Sequence, residues 1–191
     1  MRSLLRAPGK PFHPPLTDAS IGAYTAGVVM LLLGALGLEE EQMAHGALLA
    51  ISLGLILAAP TAITGLLDWL DIPRGAPART VATIHLVLMV AATVFFALTW
   101  LAQLDGYRED EVRGFALALG LAAFALLALG GNLGGANVFV YGIRVLKAED
   151  TPPREALNPF GAGEEKAPRG VPARAAARTQ NDRPDADEPR Q

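Results

Sequence analysis

The sequence predicts an all-α polytopic membrane protein, with four transmembrane helices in an up-down bundle and a disordered C-terminal tail. Three observations carry this. The 191 residues are 51% hydrophobic and only 18% charged. Their mean hydropathy of +0.32 is high for a water-soluble domain. The apolar residues also fall in four long blocks rich in Leu, Ala, Gly and Val, where about 20 such residues are needed to cross a hydrocarbon core of roughly 30 Å.

Residues 1–18 carry Arg2, Arg6 and Lys10 among prolines and read as a cytoplasmic N-terminal arm. The first span follows at about 19–38, too long and too proline-flanked for a cleaved signal peptide. Glu39, Glu40 and Glu41 form an acidic turn into a second span at about 44–67, which contains Pro60. Proline there removes a backbone donor, a fault that the hydroxyls of Thr61 and Thr64 are placed to repair. A loop with Pro73, Gly75 and Pro77 precedes the third span, about 81–101, where Trp100 is expected as an interfacial anchor. Asp105 to Arg113 form a charged loop before the fourth span, about 114–140. The four-helix domain closes near 147. Residues 148–191, rich in Pro, Ala, Arg, Asp and Glu, bury too little surface to offset ordering entropy and are expected to be disordered.

Basic residues set the orientation. Arg2, Arg6, Lys10, Arg74, Arg79, Arg144, Lys147 and Arg154 lie on one side, against Arg108 and Arg113 on the other. The positive-inside rule then puts both termini in the cytoplasm. A net charge of −3 with no basic stripe excludes nucleic acid as a partner. With no cysteine, any metal or haem ligand must be His, Met or carboxylate.

Small residues recur every four positions at Gly46, Ala50, Gly54, Ala58 and Ala62, and Gly130, Gly131, Gly134 and Gly135 make two overlapping G-x-x-x-G patterns. Such faces let backbones approach in lipid. Packing within the bundle is the expected use, and a homodimer through these faces the competing one.

Ionisable residues at membrane depth default to a functional hypothesis. His13, Asp18, Asp68, Arg79, His85 and Tyr141 all fall at the cytoplasmic end, with Thr61, Thr64 and Asp68 on one face of the second span. His85 would sit about 6–9 Å inside the hydrocarbon edge, where it needs a partner such as Asp68 or the Arg79 loop backbone. A structural His85–Asp68 bond is the plainest expectation; a cofactor or metal site using His13, Asp68 and His85 is the functional one. His45, at the start of the second span, is roughly 35 Å from Asp68 and belongs to the other end.

The entry His13-Pro14-Pro15-Leu16-Thr17-Asp18 with Ile21-Gly22, the stretch Pro60-Thr61-Ala62-Ile63-Thr64-Gly65-Leu66-Leu67-Asp68-Trp69, the Arg79 and His85 pair, and Gly131-Asn132-Leu133-Gly134-Gly135 with Gly142 and Val145 resemble the bacterial integral membrane proteins of domain-of-unknown-function family 2231. The resemblance covers about 11–146. It implies a four-helix domain in the bacterial plasma (inner) membrane and brings no established activity. Some similar proteins continue into a Rieske-type iron–sulfur domain, so the resemblance also implies a redox partner protein for a chain that has no cysteine of its own. Two departures bear on haem: Ala136 stands where many similar sequences have histidine, and Met89 where they have asparagine. His13 and His85 remain as a pair, while His85 and Met89 share one helix a turn apart and could not bind opposite faces of one haem.

The expectation is therefore a non-enzymatic membrane protein with a polar His/Asp cluster that binds a cofactor or partner. A haem- or metal-binding redox protein is the first alternative and a small transporter or proton-coupled channel the second. No nucleophile elbow, phosphate loop or H-E-x-x-H motif points to hydrolysis.

Overall fold

The computed structural model describes residues 12–143; the arm's Arg2, Arg6 and Lys10, the basic residues Arg144, Lys147 and Arg154, and the tail from 148 onward lie outside them. Four helices account for most of this stretch: α1 His13–Ala35, α2 Glu40–Asp71, α3 Pro77–Arg108 and α4 Gly114–Phe139. All four are long and apolar enough to cross a membrane. With 32 residues each, α2 and α3 are roughly 48 Å long, so their ends extend past a 30 Å hydrocarbon core.

Helix α1 begins at His13, ahead of the span expected from residue 19. Pro14 and Pro15, taken as part of an arm, fall in the first turn, where a missing N–H costs nothing and the fixed φ suits the helix. The helix ends on a Schellman motif: Gly37 has φ +80, its N–H bonds Gly34 O at 2.8 Å, and Leu38 N–H bonds Leu33 O at 3.1 Å. Glu40 and Glu41 occupy the first turn of α2, where carboxylates complement the helix dipole. Around Pro60 both threonine hydroxyls are used, but on carbonyls other than Ile56 O, the one that proline orphans. Thr61 Oγ1 donates to Leu57 O at 2.7 Å and Thr64 Oγ1 to Pro60 O at 3.0 Å.

Several of the small residues are used within the chain. Gly54 and Gly46 of α2 receive Tyr24 and Met30 of α1, and Gly130 of α4 receives Met89 of α3. Gly131 has nothing within 4 Å of a built Cβ. The chain thus forms two helical hairpins, α1–α2 and α3–α4. Their equivalence is visible in what they bury. Ser20, Tyr24, Gly27, Leu31 and Gly34 of α1 and Ala92, Phe96, Thr99, Gln103 and Gly106 of α3 are buried at a constant offset, that from His13 to His85. In α2 and α4, Ala47, Ile51, Gly54 and Thr61 likewise correspond to Ala116, Gly120, Ala123 and Gly130, the offset that also relates Asp68 to Asn137. Tyr24 and Phe96, equivalent to one another, stack face to face with centroids 3.9 Å apart and planes 2° from parallel. Equivalent residues can touch only near the axis that relates them, so a quasi-two-fold axis runs between these rings along the bundle.

The outside is apolar. Leu49, Ile56, Ile63, Val87, Val94 and Leu129 are exposed, a surface that hydrocarbon tolerates and water does not. Trp100 lies short of the helix end, since α3 continues to Arg108, and its Nε1–H donates to Ser52 Oγ at 2.7 Å, bracing α3 on α2. At the end opposite His13, fully buried Gln103 ties down the α3–α4 loop by donating to Glu111 O at 2.9 Å and accepting from Arg113 N–H at 3.1 Å.

Candidate functional site

Two histidines, one from each hairpin, are held in the same way. His13 Nδ1 lies 3.0 Å from Thr61 O and 3.3 Å from Thr64 Oγ1. His85 Nδ1 lies 2.7 Å from Gly130 O. A carbonyl oxygen can only accept, so each Nδ1 carries the proton. Thr64 fits the same reading, because its hydroxyl proton is directed to main-chain carbonyls and its lone pair faces the imidazole. In the neutral ring this tautomer leaves Nε2 as a bare acceptor, the state in which histidine binds metals or hydrogen-bond donors. Thr17 Oγ1 is 3.5 Å from His13 Nε2, but its proton goes to His13 O at 2.8 Å. No hydrogen bond reaches His85 Nε2 among the described residues.

Glycine makes both positions possible. A Cβ built on Gly65 would come 2.7 Å from His13 Cε1, and one built on Gly134 would come 2.9 Å from His85 Cε1. Each imidazole therefore lies close against the backbone of its hairpin partner, one turn beyond the carbonyl that accepts its Nδ1–H. The two arrangements are copies under the quasi-two-fold axis.

Both histidines line one cavity of about 270 Å³ between the hairpins, with Asp68, Trp69, Leu86 and Asn137 among its walls. Most of its wall is apolar. Asn137 is 8% exposed, and its Oδ1 accepts no hydrogen bond among the described residues. The equivalence of Asp68 with Asn137 means that the cavity is symmetric in its histidines and asymmetric in the acid–amide pair.

The remaining candidates divide. Thr64 and Thr61 support His13 from behind. Arg79 does not enter the cavity: its Nη1 donates to Trp69 O at 3.2 Å and to Ile72 O, and its guanidinium lies 4.0 Å over the Trp69 ring. It caps the orphan carbonyls of α2 with a positive charge, while Trp69 Nε1–H bonds Thr83 Oγ1 at 2.9 Å. Arg79→Met is accordingly expected to lower stability in detergent melts by about 1–2 kcal/mol while leaving the cavity's histidines in place. Asp18 and Tyr141 are exposed and do not line the cavity. His85 takes its main-chain partner from α4, where a bond to Asp68 was the plainest expectation.

A mononuclear metal triad of His13, Asp68 and His85 is not preassembled. Among the described residues, the group whose three ligand atoms lie within 4.8 Å of one another is Glu41, His45 and Asp110, at the opposite end. There His45 Nε2 is 3.0 Å from Tyr107 O and 2.9 Å from Asp110 Oδ1, and its ring packs on Tyr107, so it latches α2 to the α3–α4 loop.

The model of a family described as predicted membrane proteins, DUF2231, matches residues 9–147. The chain belongs to that family. Neither the curated proteins nor the solved structures give a match. The match spans all four helices of this DUF2231 chain and every residue of the paired-histidine cavity. Sequence reading found His13, Asp68 and His85 but missed Asn137 and the roles of Gly65 and Gly134. The one signal for them was their spacing: Gly65 and Gly134 share the offset that relates Asp68 to Asn137.

Proposed function

We propose that this DUF2231 protein is a multi-pass plasma-membrane protein whose paired-histidine cavity, at the cytoplasmic end of the bundle, binds a small ligand or cofactor without itself being an enzyme. The observation that carries the reading is that both Nδ1 atoms are committed to main-chain carbonyls while both rings line one cavity. Purely structural histidines need no common cavity, whereas ligand-binding ones are oriented by this kind of backbone bond.

The preponderance of basic residues beside the ends of α1, α2 and α3 that hold His13, Asp68 and His85 supports a cytoplasmic location for both termini. Because the chain lacks cysteine, single substitutions test this cleanly. In intact cells Arg108→Cys is expected to react with an impermeant maleimide and Arg74→Cys only after lysis; the reverse pattern would invert the topology.

A transport path is disfavoured. Below the cavity the core is closed by the Tyr24–Phe96 stack and by Leu31, Ile51 and Leu127, all buried.

Detergent-purified protein, analysed by optical spectroscopy, metal analysis and native mass spectrometry, tests the reading. The expected result is a bound small molecule or ion that both His13→Ala and His85→Ala lose. Wild-type protein from cells with ample cofactors that carries no metal, chromophore or small molecule would contradict it.

A further inference from the structure

We infer that the cavity takes the hydroquinone form of a lipid-soluble quinone, a flat uncharged ring whose two hydroxyls donate to His13 Nε2 and His85 Nε2. This names the ligand class for the binding reading above and rests on it.

The polarity of the site comes first. Each histidine has spent its Nδ1 proton on a carbonyl, so the neutral rings offer the cavity acceptors, and a matching ligand must bring donors. Symmetry comes second. The two acceptors belong to equivalent positions of the two hairpins, so a ligand that meets both carries two donors on opposite edges, as a para-diol does. Size and wall chemistry come third. A volume of about 270 Å³ is more than a bare ion fills. Apart from the Asp68 carboxylate the wall is mostly apolar, with Trp69, Ile72, Leu86 and Val138, and suits an uncharged ring. Asn137 of α4 also contributes to the wall, beside His85 and Gly134. Finally, the cavity lies at the end of helices that span lipid, where a membrane-dissolved ligand is concentrated.

The consequence is a preference between redox forms. A quinone presents only carbonyl acceptors, and against two acceptor nitrogens it makes neither bond. The full chain in nanodiscs is titrated with tetramethylhydroquinone under anaerobic reducing conditions and with tetramethylbenzoquinone in their absence, binding being read by calorimetry. Saturable binding of the reduced form at least tenfold tighter than the oxidised form is expected, on the basis of roughly tenfold per hydrogen bond. His13→Phe and His85→Phe should each weaken hydroquinone binding about tenfold and cut the preference by the same factor, with helicity and elution volume unchanged. If either variant fails to fold, the redox preference of the native chain decides alone. Equal binding of both forms, a preference that is undiminished in either variant, or no saturable binding would overturn the inference. A metal ion or another molecule lost from His85→Ala, with no hydroquinone bound, would overturn it while leaving the ligand-binding reading intact; absence of any ligand would remove both.

Discussion

Leucine at position 54 is expected to separate α1 from α2 and to cost the domain about 3 kcal/mol or more, the upper end of what overpacking a close-packed interior costs. A Cβ at Gly54 alone would meet the Tyr24 ring carbons at 2.5 and 2.6 Å. Tyr24 cannot retreat, because its other face is stacked on Phe96 and both rings are buried. In lipid no hydrophobic effect drives the helices together, so close backbone approach is much of what holds the hairpin. Thermal unfolding in detergent, followed by circular dichroism, should show Gly54→Leu melting many degrees below wild type. Gly22→Ala and Gly131→Ala, with nothing within 4 Å of the added carbon, should melt at or slightly above it. Equal melting of Gly54→Leu and Gly131→Ala would contradict the packing.

Valine at either Gly65 or Gly134 is expected to abolish ligand binding, and to do so about equally. The first branch carbon would already crowd His13 or His85 below 3 Å, and the rest of the side chain would push the imidazole off the carbonyl that fixes its tautomer. Losing one orienting bond and one ligand contact amounts to about 2–4 kcal/mol, or some thirty- to a thousandfold in affinity. The equality matters most, because it follows from the quasi-two-fold relation and from nothing else. Gly131→Val, one helical step away on the outside, should bind normally. The measurement is occupancy of the co-purified ligand by native mass spectrometry, and a large loss from only one hairpin would show that the two histidines are not a pair.

The four helices were legible because hydrocarbon thickness forces long apolar blocks, a constraint written directly in composition. Their ends were less so. Pro14 and Pro15 read as an arm because proline breaks helices in general, although in the first turn it does not. Trp100 read as an interfacial anchor because its Ser52 partner is 48 residues distant. The glycines of α4 announced close packing, yet periodicity alone cannot say that Gly130 and Gly134 face α3 while Gly131 faces outward. For that reason His85 was matched to Asp68, the nearest polar candidate, where a main-chain carbonyl of α4 takes the bond. Arg79 read as part of the cluster because a basic residue near a span end can either serve a site or cap a helix, and only the position of the Trp69 and Ile72 carbonyls decides. The internal repeat stayed hidden because equivalent positions differ chemically, as Leu31 and Gln103 or Asp68 and Asn137 do. What the hairpins share is burial, not side-chain type.

The paired-acceptor cavity depends on which nitrogen of each imidazole holds the proton, and nitrogen-15 NMR of histidine-labelled protein in nanodiscs reads the tautomer directly. In the neutral ring, His13 and His85 should carry the proton on Nδ1. His45, whose Nε2 faces Tyr107 O, should carry its proton on Nε2, giving an internal contrast within one sample. Two Nδ1–H rings that His13→Gln and His85→Gln remove one at a time is the predicted result. An Nε2–H tautomer at either His13 or His85 would leave the cavity without its paired acceptors and would contradict the account.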